Sequence, residues 1–160
     1  MAALTRGGRG DGGSVICLVR HGETEANRLS TRQGWSDTGL DDTGIMQAQK
    51  VAGWALGKGV KSIVSSDLVR ATQTAEPIAL MLGLPVETSP SWRERLYGRE
   101  MDWAFVLRVR NAWEKIHDHT LVVTHLGVIR ALTMLTVRNC DIVISCKPHQ
   151  FNVIEFHKLK

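Results

Sequence analysis

The run Val15-Ile16-Cys17-Leu18-Val19 holds no charged residue and stops at Arg20-His21-Gly22-Glu23-Thr24. Such a stretch reads as a short buried strand of a sheet covered on both faces. Open α/β sheets bind ligands at the carboxyl ends of their strands. A guanidinium and an imidazole at that end set a cation and a near-neutral nucleophile beside a ligand, an arrangement suited to phosphoryl transfer.

The rest of the chain repeats the alternation. A helix is expected from about Asp41 to Leu56, with Ile45, Ala48, Val51, Ala52 and Ala55 as its buried stripe and Asp41, Asp42 and Thr43 as capping candidates. A strand over Lys61 to Val64 then leads through Ser65-Ser66-Asp67 into a second helix. That helix buries Leu68, Ala71, Ala75, Ile78, Ala79 and Leu82 and closes at Gly83. Pro85 to Thr88 suits a brief strand, Ser89 to Arg99 a polar loop, and Asp102 to Ile116 a helix. Leu121-Val122-Val123 reads as another buried strand, ending in Thr124-His125, before a helix marked by Val128, Ile129, Leu132 and Leu135. Ile142 to Ile144 and Asn152 to Phe156 suit closing strands. The expected fold class is therefore α/β, a three-layer α/β/α sandwich around a mostly parallel central sheet.

At 160 residues with 43% apolar content, one core is the expectation, over residues 15–160. Residues 1–14 hold five glycines and two arginines, which suits a flexible tail. The net charge of +4 is spread along the chain. Without a basic block or an aromatic-basic platform it points to anionic small molecules rather than nucleic acid. No run reaches the length of a membrane span and no secretory signal opens the chain, so a cytoplasmic protein without a membrane partner is expected. The oligomeric state is not legible. Cys17, Cys140 and Cys146 lack paired spacing and read as reduced thiols. The five tryptophans are dispersed, which suits core packing or loop anchoring.

Several residues have two readings. A lone histidine is commonly a satisfied structural residue, but His21 follows Arg20 at a strand end, and Gly22 lets the backbone turn with its amides facing an anion. The guanidinium beside it keeps the imidazole neutral. Arg70 falls in the first turn of its helix, where the dipole disfavours a cation by about 0.3–1 kcal/mol. It suits either an ion pair with Asp67 or an anion bound at the sheet edge. His125 repeats the pattern of apolar strand, histidine, glycine and helix. Glu94, between Arg93 and Arg95, suits an ion pair as readily as catalysis. His117 and His119 flank Asp118 at an expected helix end, so no metal is expected. His149 and His157 read as surface residues.

The stretch Leu18-Val19-Arg20-His21-Gly22-Glu23-Thr24-Glu25-Ala26-Asn27 resembles the signature of the histidine phosphatase superfamily, the phosphoglycerate-mutase-like proteins. The blocks Gly34-Trp35-Ser36-Asp37 to Gln47-Ala48, Ser65-Ser66-Asp67-Leu68-Val69-Arg70-Ala71-Thr72-Gln73-Thr74-Ala75 and Val123-Thr124-His125 are similar to further family motifs. The resemblance spans Val15 to about Phe156. It implies attack by His21 on phosphorus, with Arg20, Arg70 and His125 holding the phosphoryl oxygens and Glu94 as general acid and base. Asn27, Gln33 and Gly34 match positions bordering the phosphate or substrate, and Tyr97 matches a substrate-pocket position. No cofactor or metal is implied. The implied partner is a phosphorylated small molecule or a phosphoprotein.

The chain departs from the family pattern in two places. Thirty residues separate Glu94 from His125, fewer than relatives commonly have, which implies an open site. Leu126 precedes Gly127 where two glycines are common, which implies a narrower pocket wall. Glu94-Arg95-Leu96-Tyr97-Gly98 resembles the mutase branch, yet the basic residues that mutases use for the substrate carboxylate and second phosphate have no clear counterpart after Gly98, where the chain reads Arg99-Glu100-Met101-Asp102. Hydrolysis of phosphomonoesters is the leading expectation. A phosphoglycerate mutase and a non-catalytic phosphate- or phosphoprotein-binding module are the alternatives.

Overall fold

The computed structural model describes residues 15–147, 150–155 and 157. The expectations for residues 1–14, His149 and Phe156 lie outside that set. Strands β1 (Ile16–Arg20), β2 (Ser62–Ser65), β3 (Val86–Thr88), β4 (Thr120–Thr124), β5 (Ile142–Lys147) and β6 (Gln150–Ile154) form one sheet in the order β3-β2-β4-β1-β5-β6. The first four run parallel, and β5 and β6 join antiparallel to β1 and to each other.

Side chains alternate across the sheet with a period of two, so each strand feeds both faces. Cys17, Val19, Ile63, Leu121, Val123 and Ile142 meet helices α2 (Asp42–Ala55) and α3 (Val69–Leu82) through Val51, Ala52, Ala71, Ala75 and Ile78. On the opposite face Leu18, Val64, Val122 and Val143 meet α4 (Asp102–Trp113) and α5 (Leu126–Thr133) through Phe105, Val109, Val128 and Ile129. Two cores on one sheet make the three-layer α/β/α sandwich.

Local chemistry sets the element ends. The Asp41 side chain accepts from the Gly44 amide and starts α2. Gly83, at φ 66°, closes α3 in the left-handed region. A short helix absent from the sequence reading, α1 (Glu25–Arg28), begins at a capping box in which Thr24 and Asn27 bond each other's backbone amides.

Four expectations are corrected. Ile45 is 47% exposed. The buried place in that turn goes to Gly44, whose backbone lies so close to Glu23 that a side chain there would overlap the Glu23 carbonyl. Helix α4 stops at Trp113, so His117 and His119 lie in the turn before β4 rather than at a helix end. Leu135 falls beyond α5, which ends where Met134 turns left-handed. Trp103 is 67% exposed and not in the core. Cys17 and Cys140 are buried and joined by no disulfide, and burial pushes the Cys140 thiol up. No helix among the described residues is long and apolar enough to cross a membrane.

Candidate active site

Strand register brings the chemistry together. Arg20 pairs with Thr124 across β1 and β4, and Ser65 pairs with Val123 across β2 and β4. The next residues along these parallel strands, His21, His125 and Ser66, therefore emerge at one carboxyl edge. The His21 amide donates to the Thr124 carbonyl at 2.9 Å and the Ser66 amide to the Val123 carbonyl at 2.9 Å, which extends the alignment one step past the sheet.

His21 is buried, and its Nδ1 donates to the Gly22 carbonyl at 2.7 Å. A carbonyl can only accept, so the proton sits on Nδ1 and the lone pair on Nε2. Burial first, then the Arg70 and Arg20 guanidiniums, hold the imidazole well below its usual range, so it is neutral at pH 7. His125 lies behind it, with ring centroids 5.2 Å apart, and its Nε2 is 2.8 Å from Ser66 Oγ. Burial, His21 and Arg70, in that order, also push His125 down.

The two arginines are anchored by carbonyls. Arg20 Nη1 donates to Val137 O at 2.9 Å, and Arg70 donates from Nη1 to Ser36 O at 2.9 Å and from Nη2 to Gly34 O at 2.7 Å. Arg70 is 1% exposed and does not pair with Asp67, which takes a two-point contact from Arg93 instead. Burial pushes the Arg70 guanidinium down to about 10, still charged at neutral pH. Arg20 Nε, Arg70 Nε and His125 Nδ1 are buried without a partner among the described residues. An unsatisfied buried polar group is destabilising by about 1–3 kcal/mol, so this edge carries polar capacity that the fold itself does not use.

Glu94 completes the edge from the far side. Its Oε1 accepts from the Arg95 amide at 2.8 Å and its Oε2 from the Gly127 amide at 3.1 Å. Trp35 Nε1 donates to the Glu94 carbonyl at 2.6 Å. Arg108 forks onto both carboxylate oxygens of Glu100 and donates to the carbonyls of Ser91 and Arg93, which pins the loop carrying Glu94.

A cavity of about 120 Å³ is lined by Arg20, His21, Asn27, Gln33, Gly34, Arg70, Glu94 and Tyr97. Eight of the nine residues singled out from the sequence thus share one wall, and His125 stands behind His21. Leu126 does line the cavity, as its place before Gly127 implied. The sequence reading missed Thr31 and Arg32 in the wall, and the supports behind it. Asn139 Nδ2 donates to the His21 carbonyl at 2.9 Å and to Asn27 Oδ1 at 3.1 Å. Thr74 Oγ1 accepts from the Gly22 amide and donates to the Arg70 carbonyl, and Gln47 accepts from the Glu23 amide. Gly22 and Gly44 cross backbone to backbone, where a Cβ on Gly22 would lie 2.6 Å from the Gly44 carbonyl oxygen. Among the described residues no three His, Cys, Asp or Glu side chains converge as metal ligands.

Comparison with known proteins places this arrangement. Among curated proteins the chain is 42% identical over 102 residues to a probable phosphoglycerate mutase, GpmB, of Proteus mirabilis (strain HI4320), covering 62% of this chain and 47% of that protein. It is 47% identical over 79 residues to the GpmB of Yersinia pestis (strain Pestoides F), covering 49% and 37%. The matched stretch thus spans about half the length of these relatives or less. Among solved structures, TTHB049 from Thermus thermophilus superposes with a TM-score of 0.73 at 27% identity, over 88% of this chain and 99% of that one. A mycobacterial glucosyl-3-phosphoglycerate phosphatase complexed with VO3 shares the fold, with a TM-score of 0.76 at 21% identity over 88% and 97%. The model of the histidine phosphatase superfamily (branch 1) matches residues 16–104, more than half of the chain and most of the residues that build this cavity; the chain belongs to that superfamily.

Proposed function

We propose that the protein hydrolyses phosphomonoesters without a metal, through a covalent phosphohistidine on His21. One observation carries this reading. His21 is neutral, its Nδ1 is tied to a carbonyl, and its Nε2 lone pair is left as the nucleophile in a cavity that Arg20 and Arg70 also line. In the first step Nε2 attacks phosphorus in line as the bond to the leaving oxygen breaks, and the Glu94 carboxyl gives that oxygen its proton. Charge spread over the three equatorial oxygens is met by donors already in place, so little reorganisation accompanies the transfer. In the second step the Glu94 carboxylate takes a proton from water as its oxygen attacks phosphorus. The P–N bond breaks and returns His21 and inorganic phosphate. His125, held by Ser66, would steady the His21 ring and supply Nδ1 to a phosphoryl oxygen. The substrate is a phosphorylated small molecule or a phosphoprotein.

The names of the curated relatives support a second reading, transfer of a phosphoryl group between positions of one molecule. The experiment is turnover of an aryl phosphate with a chelator present. Release of inorganic phosphate supports hydrolysis. Isomerisation of a phosphoglycerate that requires a bisphosphorylated cofactor supports the mutase. Binding of vanadate with neither reaction returns the chain to a phosphate-binding module.

A further inference from the structure

Tyr97 stands at a junction. On one side it lines the small cavity with His21 and Glu94, and its ring lies under the Arg32 guanidinium, 5.0 Å from the centroid. On the other it lines a hollow of about 490 Å³ between α4 and α5, with Val106, Gly127, Ala131 and Met134, and the Arg95 guanidinium sits 5.3 Å from the same ring. Val106 is shared in turn with a further hollow of about 530 Å³ beside Trp103 and Leu107. The three spaces thus adjoin one another through shared wall residues along α4.

The walls of these hollows are mainly apolar, with Arg95, Asp102, Arg110 and Arg130 set among the apolar side chains. Helix α4 carries two apolar faces: Phe105, Val109 and Ala112 enter the core, whereas Trp103 and Leu107, one turn apart, face outward at 67% and 51% exposure. Met134, directly after α5, is 88% exposed. Isolated exposed apolar residues are ordinary, but a contiguous apolar surface beginning at a reactive cavity is a binding surface.

Reaction geometry selects the occupant. In an in-line displacement the leaving oxygen lies opposite the His21 nitrogen and within reach of Glu94. Glu94 Oε2 rests on the Gly127 amide, and Gly127 is a wall of the α4–α5 hollow. A leaving group directed past Glu94 towards Gly127 and Tyr97 would enter the groove. We infer that the groove between α4 and α5 takes an apolar leaving group, so that the substrates are phosphomonoesters of long apolar alcohols. This rests on the hydrolase reading for its direction of departure.

The test is a series of primary alkyl phosphates from ethyl to octyl, below their micelle concentrations, with matching alkylphosphonates as non-hydrolysable ligands. A methylene fully transferred from water is worth about fourfold, so kcat/KM should climb about two- to fourfold per methylene. Trp103→Ser and Met134→Ser should flatten the climb, read as the octyl-to-ethyl ratio within each protein. Equal turnover along the series, or a fall of both substrates by one factor in the variants, overturns the inference and leaves hydrolysis standing. No turnover but phosphonate affinity that rises with length sinks the hydrolase reading and keeps the groove. Phosphonate affinity independent of length overturns the groove as well. A dimer in sedimentation that Leu107→Arg dissociates, with the alkyl series unchanged, assigns the surface to a second copy and overturns the inference.

Discussion

The Gly127 amide holds Glu94 Oε2 at 3.1 Å, and any side chain at Gly127 would overlap the same carboxylate. The helix start that follows His125 is therefore built around the proposed acid. Gly127→Ala should gain helix propensity while displacing Glu94. A displacement of about 1 Å costs about 10²-fold in rate. The expected outcome is a kcat lower by about that factor with an undiminished Tm, measured by aryl phosphate turnover and thermal melting. An unchanged kcat would remove Glu94 from the mechanism.

Arg108 does not itself line the cavity, yet it holds Glu100 by two points, the carbonyls of Ser91 and Arg93, and more loosely the Glu94 carbonyl at 3.5 Å. Lysine offers a point charge in place of a fork. Arg108→Lys should therefore lower kcat by roughly 10- to 100-fold through loss of Glu94 placement, with KM little changed. A rise in KM at full kcat would contradict this positioning role.

The backbone crossing of Gly22 and Gly44 leaves no room for a methyl group, since the atoms it would meet are main chain on both sides. Gly44→Ala should destabilise the fold by about 1–3 kcal/mol, as overpacking does. Gly53, in the same helix, has open space at its Cβ position. Gly53→Ala should stabilise by about 0.4–1 kcal/mol. Urea unfolding of the pair reads the opposite signs directly.

The buried imidazoles couple stability to pH. His21 and His125 both titrate well below the ordinary histidine range in the folded chain, whereas the unfolded chain takes up protons near pH 6.5. Between those limits the unfolded state binds more protons, so stability rises with pH. Their contribution is fully present above about pH 6.5 and is lost as pH falls towards the folded values, by up to about 1.4 kcal/mol per pH unit for each group. Urea unfolding from pH 5 to pH 8 should show that slope, and His125→Gln should reduce it. A stability independent of pH below 6.5 would contradict neutral burial of these rings.

Much of this was legible because strand-end residues keep their order in a parallel sheet. Once β1 and β4 are read as adjacent buried strands, Arg20 pairs with Thr124, and the two histidines follow at one edge. Arg70 was harder, since its distance from an acidic partner depends on where Arg93 goes, and Arg93 takes Asp67. Ser66, Thr74 and Gln47 lie within the family-like motifs, but their roles come from partners 59, 52 and 24 residues away. Asn139 bonds the His21 carbonyl across 118 residues and leaves no local pattern at all. Ile45 failed for a different reason: periodicity marks which residues could be buried, whereas the close approach of Glu23 decides that a glycine is. The outward apolar face of α4 was invisible because Trp103 and Leu107 fit the same helical period as the core residues, one stripe over.

The most direct test is rapid quench with a labelled phosphate donor, followed by mapping of the modified residue. The account predicts an acid-labile phosphoryl group on Nε2 of His21 that forms before product release and is absent in His21→Asn. Turnover without a covalent intermediate, a label on another residue, or a His21→Asn variant at full speed would contradict it.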